Sequence, residues 1–127
     1  MPPPSPLPTY VYKIVPDKPP APIPEAYPLS DLDRNDGFIH LSTPAQIPIT
    51  SDLFFSTTKS FYLFKIPLSN LPAEKLKWEE APGTGRYYPH LYGNFGAKEI
   101  LDVKEFVRND EEGQTWSEVF AADSWLE

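Results

Sequence analysis

The chain has no cysteine among its 127 residues, only two histidines, one methionine and six glycines. Without cysteine, disulfides and thiolate chemistry are excluded, and the cytosol is the expected location. No apolar run approaches the ~18 residues of a membrane span. The opening "MPPPSPLP" has neither the basic start nor the apolar stretch of a secretory signal. A membrane partner is therefore not expected. Basic charge is also scarce. Residues 1–98 hold nine Asp and Glu against nine Lys and Arg, and residues 99–127 hold nine acids against Lys104 and Arg108, so the net charge of -7 arises at the C-terminal end. A phosphate-tracking surface needs clustered Lys and Arg, so no nucleic-acid partner is expected. One nucleotide-sized ligand in a local pocket is compatible with this balance.

What is abundant is proline and aromatic surface. Aromatics make up 14% of the chain and hydrophobic residues 40%, enough for the core of one soluble domain. Eleven of the seventeen prolines fall within residues 1–28, where helix is ruled out by missing donors and steric clash. We read residues 1–8 as a disordered proline-rich arm, 9–107 as a single domain, and 108–127 as an acidic C-terminal extension carrying a short helix. A first strand "TYVYKIV" (9–15) is expected. A stiff proline-rich connector then follows, with a ligand for an SH3-like partner as its alternative. After the turn-rich "SDLDRNDG" come a strand "GFIHL" and a short helix opening at Pro44 under a Thr43 cap. A second short helix is expected through "SDLFFST". Strands are expected in "SFYLFKIPL", the most apolar run and so the centre of a sheet, and in "KLKWEE", "YYPHLYG" and "KEILDVKEFV". Thr115 and Glu118 have the spacing of a capping box ahead of a terminal helix. Connections this short predict an α+β fold with a mostly antiparallel sheet and a few short helices.

Three stretches gather chemistry. In "GFIHLST", strand alternation puts His40 and Ser42 on one face, an imidazole and a hydroxyl able to hold a sugar or phosphate; the alternative is a packed core histidine. In "YYPHLYG", His90 follows Pro89 between Tyr88 and Tyr92, whose rings offer stacking faces, and Arg86 could meet an anion. In "KWEE", Trp78 packs while Glu79 and Glu80 point to opposite faces, so that one carboxylate could lie beside the histidines and stabilise developing positive charge. No close pair such as H-x-x-x-H supports zinc, so no metal is expected. "GTGRYYPHLYG" lacks a P-loop lysine and dinucleotide spacing. The twin H-x-[ST] pattern of two-histidine phosphoesterases is met at His40 and Ser42 but fails at His90, where Tyr92 replaces the hydroxyl residue.

"YKI" (12–14), "DGFIHLST" (36–43) with Gln46, "LFF" (53–55), "LKWE" (76–79) and "PHLYG" (89–93) occur in the order and spacing of the family called domain of unknown function 952. The chain resembles that family over residues 10–107, and its proline-rich connector resembles the fungal form. The family is in turn distantly similar to the ADP-ribosyltransferase fold, a split β-sheet with NAD in a central cleft. That resemblance implies a role for His40 and Ser42 at the nicotinamide ribose, with Glu79 as the candidate catalytic carboxylate and NAD as a candidate substrate. No cofactor is implied as a requirement. The site expected from both routes comprises His40, His90 and Glu79 as catalytic groups, with Ser42, Thr43, Gln46, Trp78, Arg86, Tyr88 and Tyr92 around the ligand. Three function classes follow. One is an enzyme on NAD or a related nucleotide, or in its other form a metabolite-tailoring enzyme using a histidine acid–base pair for dehydration, isomerisation or cyclisation. The second is a binding module without turnover. The third is a structural domain whose histidines merely pack.

Overall fold

A computed structural model describes residues 4–127; residues 1–3 of the expected arm lie outside the described residues. Six strands, β1 (Tyr10–Val15), β2 (Ile39–His40), β3 (Ser60–Pro67), β4 (Leu76–Glu80), β5 (Tyr87–Leu91) and β6 (Asp102–Val107), form two antiparallel three-stranded sheets, ordered β1-β3-β6 and β2-β5-β4. Three short helices, α1 (Asp31–Asp36), α2 (Gln46–Phe54) and α3 (Trp116–Ala121), accompany them. The α+β class and its antiparallel pairing are as the short connections predict. Strand β3 lies at the centre of its sheet because its apolar run is buried on both faces. Phe64 and Ile66 face the second sheet with Val11, Ile39, Leu41 and Leu91. Phe61 and Leu63 face the helices with Tyr12, Ile47, Trp116 and Phe120. Each such large side chain, fully buried, contributes about 1.5–3 kcal/mol by removal from water.

The two sheets are joined by one backbone bridge, in which Tyr12 N donates to Ser42 O (2.8 Å) and Ser42 N donates to Tyr12 O (3.0 Å). This crossing shortens the expected strand "GFIHL" to Ile39–His40, since the chain leaves β5 for β1 within two residues of His40. Around it the local structure differs from expectation at three places. "SDLDRNDG" is a helix: Ser30 Oγ accepts from Asp33 N (3.1 Å), and Gly37, at φ 81°, ends it in the left-handed conformation that glycine reaches without steric cost. The two helices expected between Pro44 and Thr57 are the single helix α2. Pro48 occupies its third position, where no intrahelical donor is needed, and the Gln46 carboxamide rather than the Thr43 hydroxyl closes the start, accepting from Thr43 N (3.0 Å). The strand expected from Lys98 begins only at Asp102, because Gly96 to Glu99 form a turn closed by Glu99 N to Gly96 O (3.0 Å).

The proline-rich connector is fastened by Tyr27 N to Phe95 O (2.8 Å) and Ala97 N to Pro24 O (3.0 Å), and the Tyr27 ring packs on Phe64 and Phe95. The Gly96 backbone runs so close that a Cβ there would stand 1.7 Å from Glu25 O. Helix α3 begins with the expected capping box, in which Thr115 Oγ1 accepts from Glu118 N and Glu118 Oε1 accepts from Thr115 N.

Candidate functional site

The alternation of β2, β5 and β4 sends Ile39, Leu91 and Leu76 toward the core between the sheets, so His40, His90 and Lys77 stand on the opposite face. The antiparallel register aligns them: His40 pairs with His90, and His90 with Lys77. Glu79, two residues along β4, shares that face, while Glu80 turns away to accept from Gly85 N (2.9 Å). The histidine rings lie 5.5 Å apart, centre to centre. Phe38 stacks on His90 at 4.1 Å and 22°, and touches the rings of His40 and Tyr92.

Each imidazole is held through Nδ1 by a carboxylate. Asp33, on α1, is 2% exposed. Its Oδ1 receives His40 Nδ1 (2.7 Å) and His40 N (3.1 Å), and its Oδ2 receives Lys13 Nζ (2.6 Å), which crosses from β1 and also donates to His40 O (3.3 Å). Burial would push the Asp33 carboxyl up, but the His40 hydrogen bonds and the Lys13 ammonium outweigh it and hold the group down at about 2. Asp33 and Asp36, three apart, share one side of α1. Asp36 Oδ2 sits 3.0 Å from His40 Nε2. His90 Nδ1 lies 2.9 Å from Glu79 Oε1, which also accepts from the Tyr92 hydroxyl (2.7 Å). This fixes the neutral His90 tautomer with its proton on Nδ1 and a lone pair on Nε2. Burial lowers the His90 pKa below the ordinary histidine value; the Glu79 hydrogen bond opposes the shift without cancelling it, and His40 adds to the lowering. Hydrogen bonds from Tyr92 and His90 lower that of Glu79.

Of the expected site residues, His40, His90, Glu79 and Tyr92 come together, and Tyr88 shares their face opposite Glu79. The others do not join them. Ser42 leaves the strand to bridge Tyr12, so it does not stand beside His40 in a continued strand, and no hydrogen bond joins its hydroxyl or that of Thr43 to the ring. Gln46 is spent on Thr43 N and on Tyr87 O (2.7 Å). Trp78 faces the other side of β4, in an apolar groove of about 520 Å³ with Leu71 and Leu76. Arg86 is exposed in the turn before β5. Sequence reasoning missed Asp33, Asp36, Phe38 and Lys13. Phe38 precedes His40 by two residues, a spacing that strand alternation could have exploited. The carboxylates needed the recognition of α1, and Lys13 needed the tertiary fold. Among the described residues no group of three His, Asp or Glu is arranged to hold a metal ion. No described helix is long and apolar enough to cross a membrane.

A family profile described as "Protein of unknown function (DUF952)" matches residues 21–103. The crystal structure of protein CC0527 from Caulobacter crescentus is similar, with 29% identity and a TM-score of 0.67 over 84% of this chain and 93% of that one. A double mutant of the same protein gives 28% identity and a TM-score of 0.66, covering 84% and 93%. Its solution NMR structure gives 28% and 0.62, covering 81% and 89%. No curated protein matches the chain. With the profile spanning both histidines and the carboxylates that hold them, the chain belongs to the DUF952 family of proteins of unknown function.

Proposed function

We propose that the protein is a small-molecule enzyme in which His40 and His90 act as an acid–base pair on one substrate. The observation that carries this reading is the pairing itself: two imidazoles 5.5 Å apart on one face, each with Nδ1 on a carboxylate but in different surroundings. His40, between Asp33 and Asp36, is the proton donor; His90, neutral with a free Nε2, is the acceptor. Imidazoles held in such different surroundings can divide the roles of acid and base between them. The reaction class is proton transfer at a carbon or oxygen next to a carbonyl or hydroxyl: isomerisation, dehydration or cyclisation. His90 takes a proton from the substrate while His40 delivers one to the oxygen that gains charge or leaves. Phe38 supplies the apolar wall of the site. The proline-rich connector supports a fungal form of the family, and the lack of cysteine a cytosolic one. No required cofactor and no partner beyond a small molecule enter this reading.

NAD-directed ADP-ribosyl transfer is the second reading. Its support is the division of the strands into two three-stranded sheets, which resembles the split sheet of the ADP-ribosyltransferase fold. Against it stands Glu79, whose Oε1 is occupied by both His90 and Tyr92. One experiment separates the readings. The full chain is incubated in D₂O with a panel of hydroxy and oxo metabolites, and loss of carbon-bound proton signals is followed by NMR; NAD is incubated in parallel, and free nicotinamide is followed by chromatography. Exchange abolished in folded His90→Ala and His40→Ala supports the acid–base pair. Exchange that persists in both variants, or is absent across the panel, refutes it, and nicotinamide release lost in His40→Ala establishes the second reading in its place.

A further inference from the structure

We propose that His40 and Lys77, on either side of His90, form an oxyanion site for a substrate bearing a carboxylate, which replaces the Asp36 carboxylate at His40 Nε2. The inference rests on the acid–base reading for its reaction and adds the class of substrate. Three basic side chains stand in line across three neighbouring strands, at about 5 Å per strand. Carboxylates surround the two imidazoles. Two of the anions are built in, since Asp33 is 2% exposed with three donors on it, and Glu79 holds His90 Nδ1 while accepting from Tyr92.

Asp36 is held differently. Its side chain is 41% exposed at the last position of a six-residue helix, and His40 Nε2 is its one polar side-chain contact among the described residues. A carboxylate oxygen 3.0 Å from an imidazole nitrogen, with nothing else securing it, occupies the place of an acidic ligand. At the other end of the row Lys77 has no carboxylate within ion-pair distance among the described residues, and its ammonium rests over the Tyr92 ring at 5.1 Å. A small acid seated at His40 can lay its skeleton along Phe38, within reach of His90 Nε2 and with Lys77 free for a second oxygen. Asp36 is then a displaceable placeholder, whereas Asp33 is a fixed positioning residue.

The two roles predict opposite signs when the carboxylate is removed. Benzoate serves as the probe, its ring matched to Phe38, and is titrated into the full-length protein while the side-chain nitrogens of His40 and His90 are followed by NMR. Asp36→Ala should bind benzoate about tenfold more tightly than the wild type, with the largest shift at His40 Nε2. Adding Lys77→Met to Asp36→Ala should leave benzoate binding nearly unchanged and weaken 4-hydroxybenzoate, which carries a second oxygen, severalfold. Asp36→Asn, which keeps size and removes charge, should fall between Asp36→Ala and wild type, and circular dichroism verifies each fold. Equal or weaker binding in Asp36→Ala, or shifts that bypass His40, would overturn the proposal. Because binding is read without turnover, a protein that takes benzoate at His40 yet exchanges no substrate proton would refute the acid–base reading alone.

Discussion

Asp33→Asn exchanges a carboxylate for an amide of the same shape, so its cost can be worked from contacts. Oδ2 of Asp33 accepts from Lys13 Nζ, and Oδ1 accepts from two groups of His40. An amide has one oxygen, so whichever way it turns, its NH₂ confronts either the ammonium or the two His40 donors. Lys13, with its side chain 11% exposed, is then left without its counter-charge. Removing one partner of a buried pair costs ~3–5 kcal/mol, and the remaining Lys13 bond to His40 O places this case near the lower end, ~3 kcal/mol. For a chain of this length that is a fall of about 10 °C in Tm. Urea unfolding at pH 7, followed by far-ultraviolet circular dichroism, measures it directly.

The same carboxyl fixes a pH dependence. It titrates at about 2 in the native state against 3.8 ordinarily, so between those values the unfolded chain binds more protons and stability falls as the solution is acidified. The contribution is complete above pH 4 and lost on approaching pH 2, a change on the order of 2 kcal/mol. The groups facing Asp33 there are Lys13 and His40. The gap in stability between wild type and Asp33→Asn should therefore close as pH falls from 4 to 2. An Asn variant with the wild-type midpoint at pH 7, or a gap that stays constant on acidification, would refute the account of Asp33.

Three further outcomes follow from the geometry. In Glu79→Gln, the loss of the carboxylate that opposes the burial shift should carry the His90 pKa further down; an NMR titration that finds it unmoved or raised would count against the assigned Nδ1 contact. Gly96→Ala cannot keep both its backbone path and the neighbouring connector, and should cost about 1–3 kcal/mol while speeding amide exchange at Tyr27 and Ala97; unchanged protection at those two amides would contradict the docking. Thr115→Ala should cost about 1 kcal/mol, with a larger loss when combined with Asp52→Ala, because Asp52 also accepts from Trp116 N and Ser117 N; full additivity of the two losses would argue that they cap α3 independently.

Strands were legible in the sequence wherever apolar alternation or a continuous apolar run set them, as in Tyr10–Val15 and Ser60–Pro67, and the Thr115 and Glu118 spacing disclosed α3. The family motifs disclosed three of the groups that meet, His40, His90 and Glu79. What remained hidden was non-local. Ser30 with Asp33 and Gly37 carries the signals of a cap and a stop, but in a segment so polar and so short that turn and helix have nearly the same pattern. The bridge from Tyr12 to Ser42 has no local signature at all, yet it ends β2 and takes Ser42 out of the site. Lys13 reads as an ordinary polar position in a strand, and only the stacking of one sheet on the other brings its ammonium to Asp33.

The histidines and the two aspartates beside His40 have different kinds of anchorage. His40 and His90 are set by the backbone ladder of a sheet, whereas Asp33 and Asp36 ride on a short helix delivered by the proline-rich connector, whose own hold on the body is two backbone hydrogen bonds and one aromatic side chain. The two halves of the site can therefore change independently over evolutionary time. Substitutions at exposed positions of this segment, Asp36 among them, can add, remove or reposition negative charge beside His40 while the sheet that holds the imidazoles stays intact. Variation in this surface segment therefore resets the charge beside His40 without rebuilding the sheet beneath it.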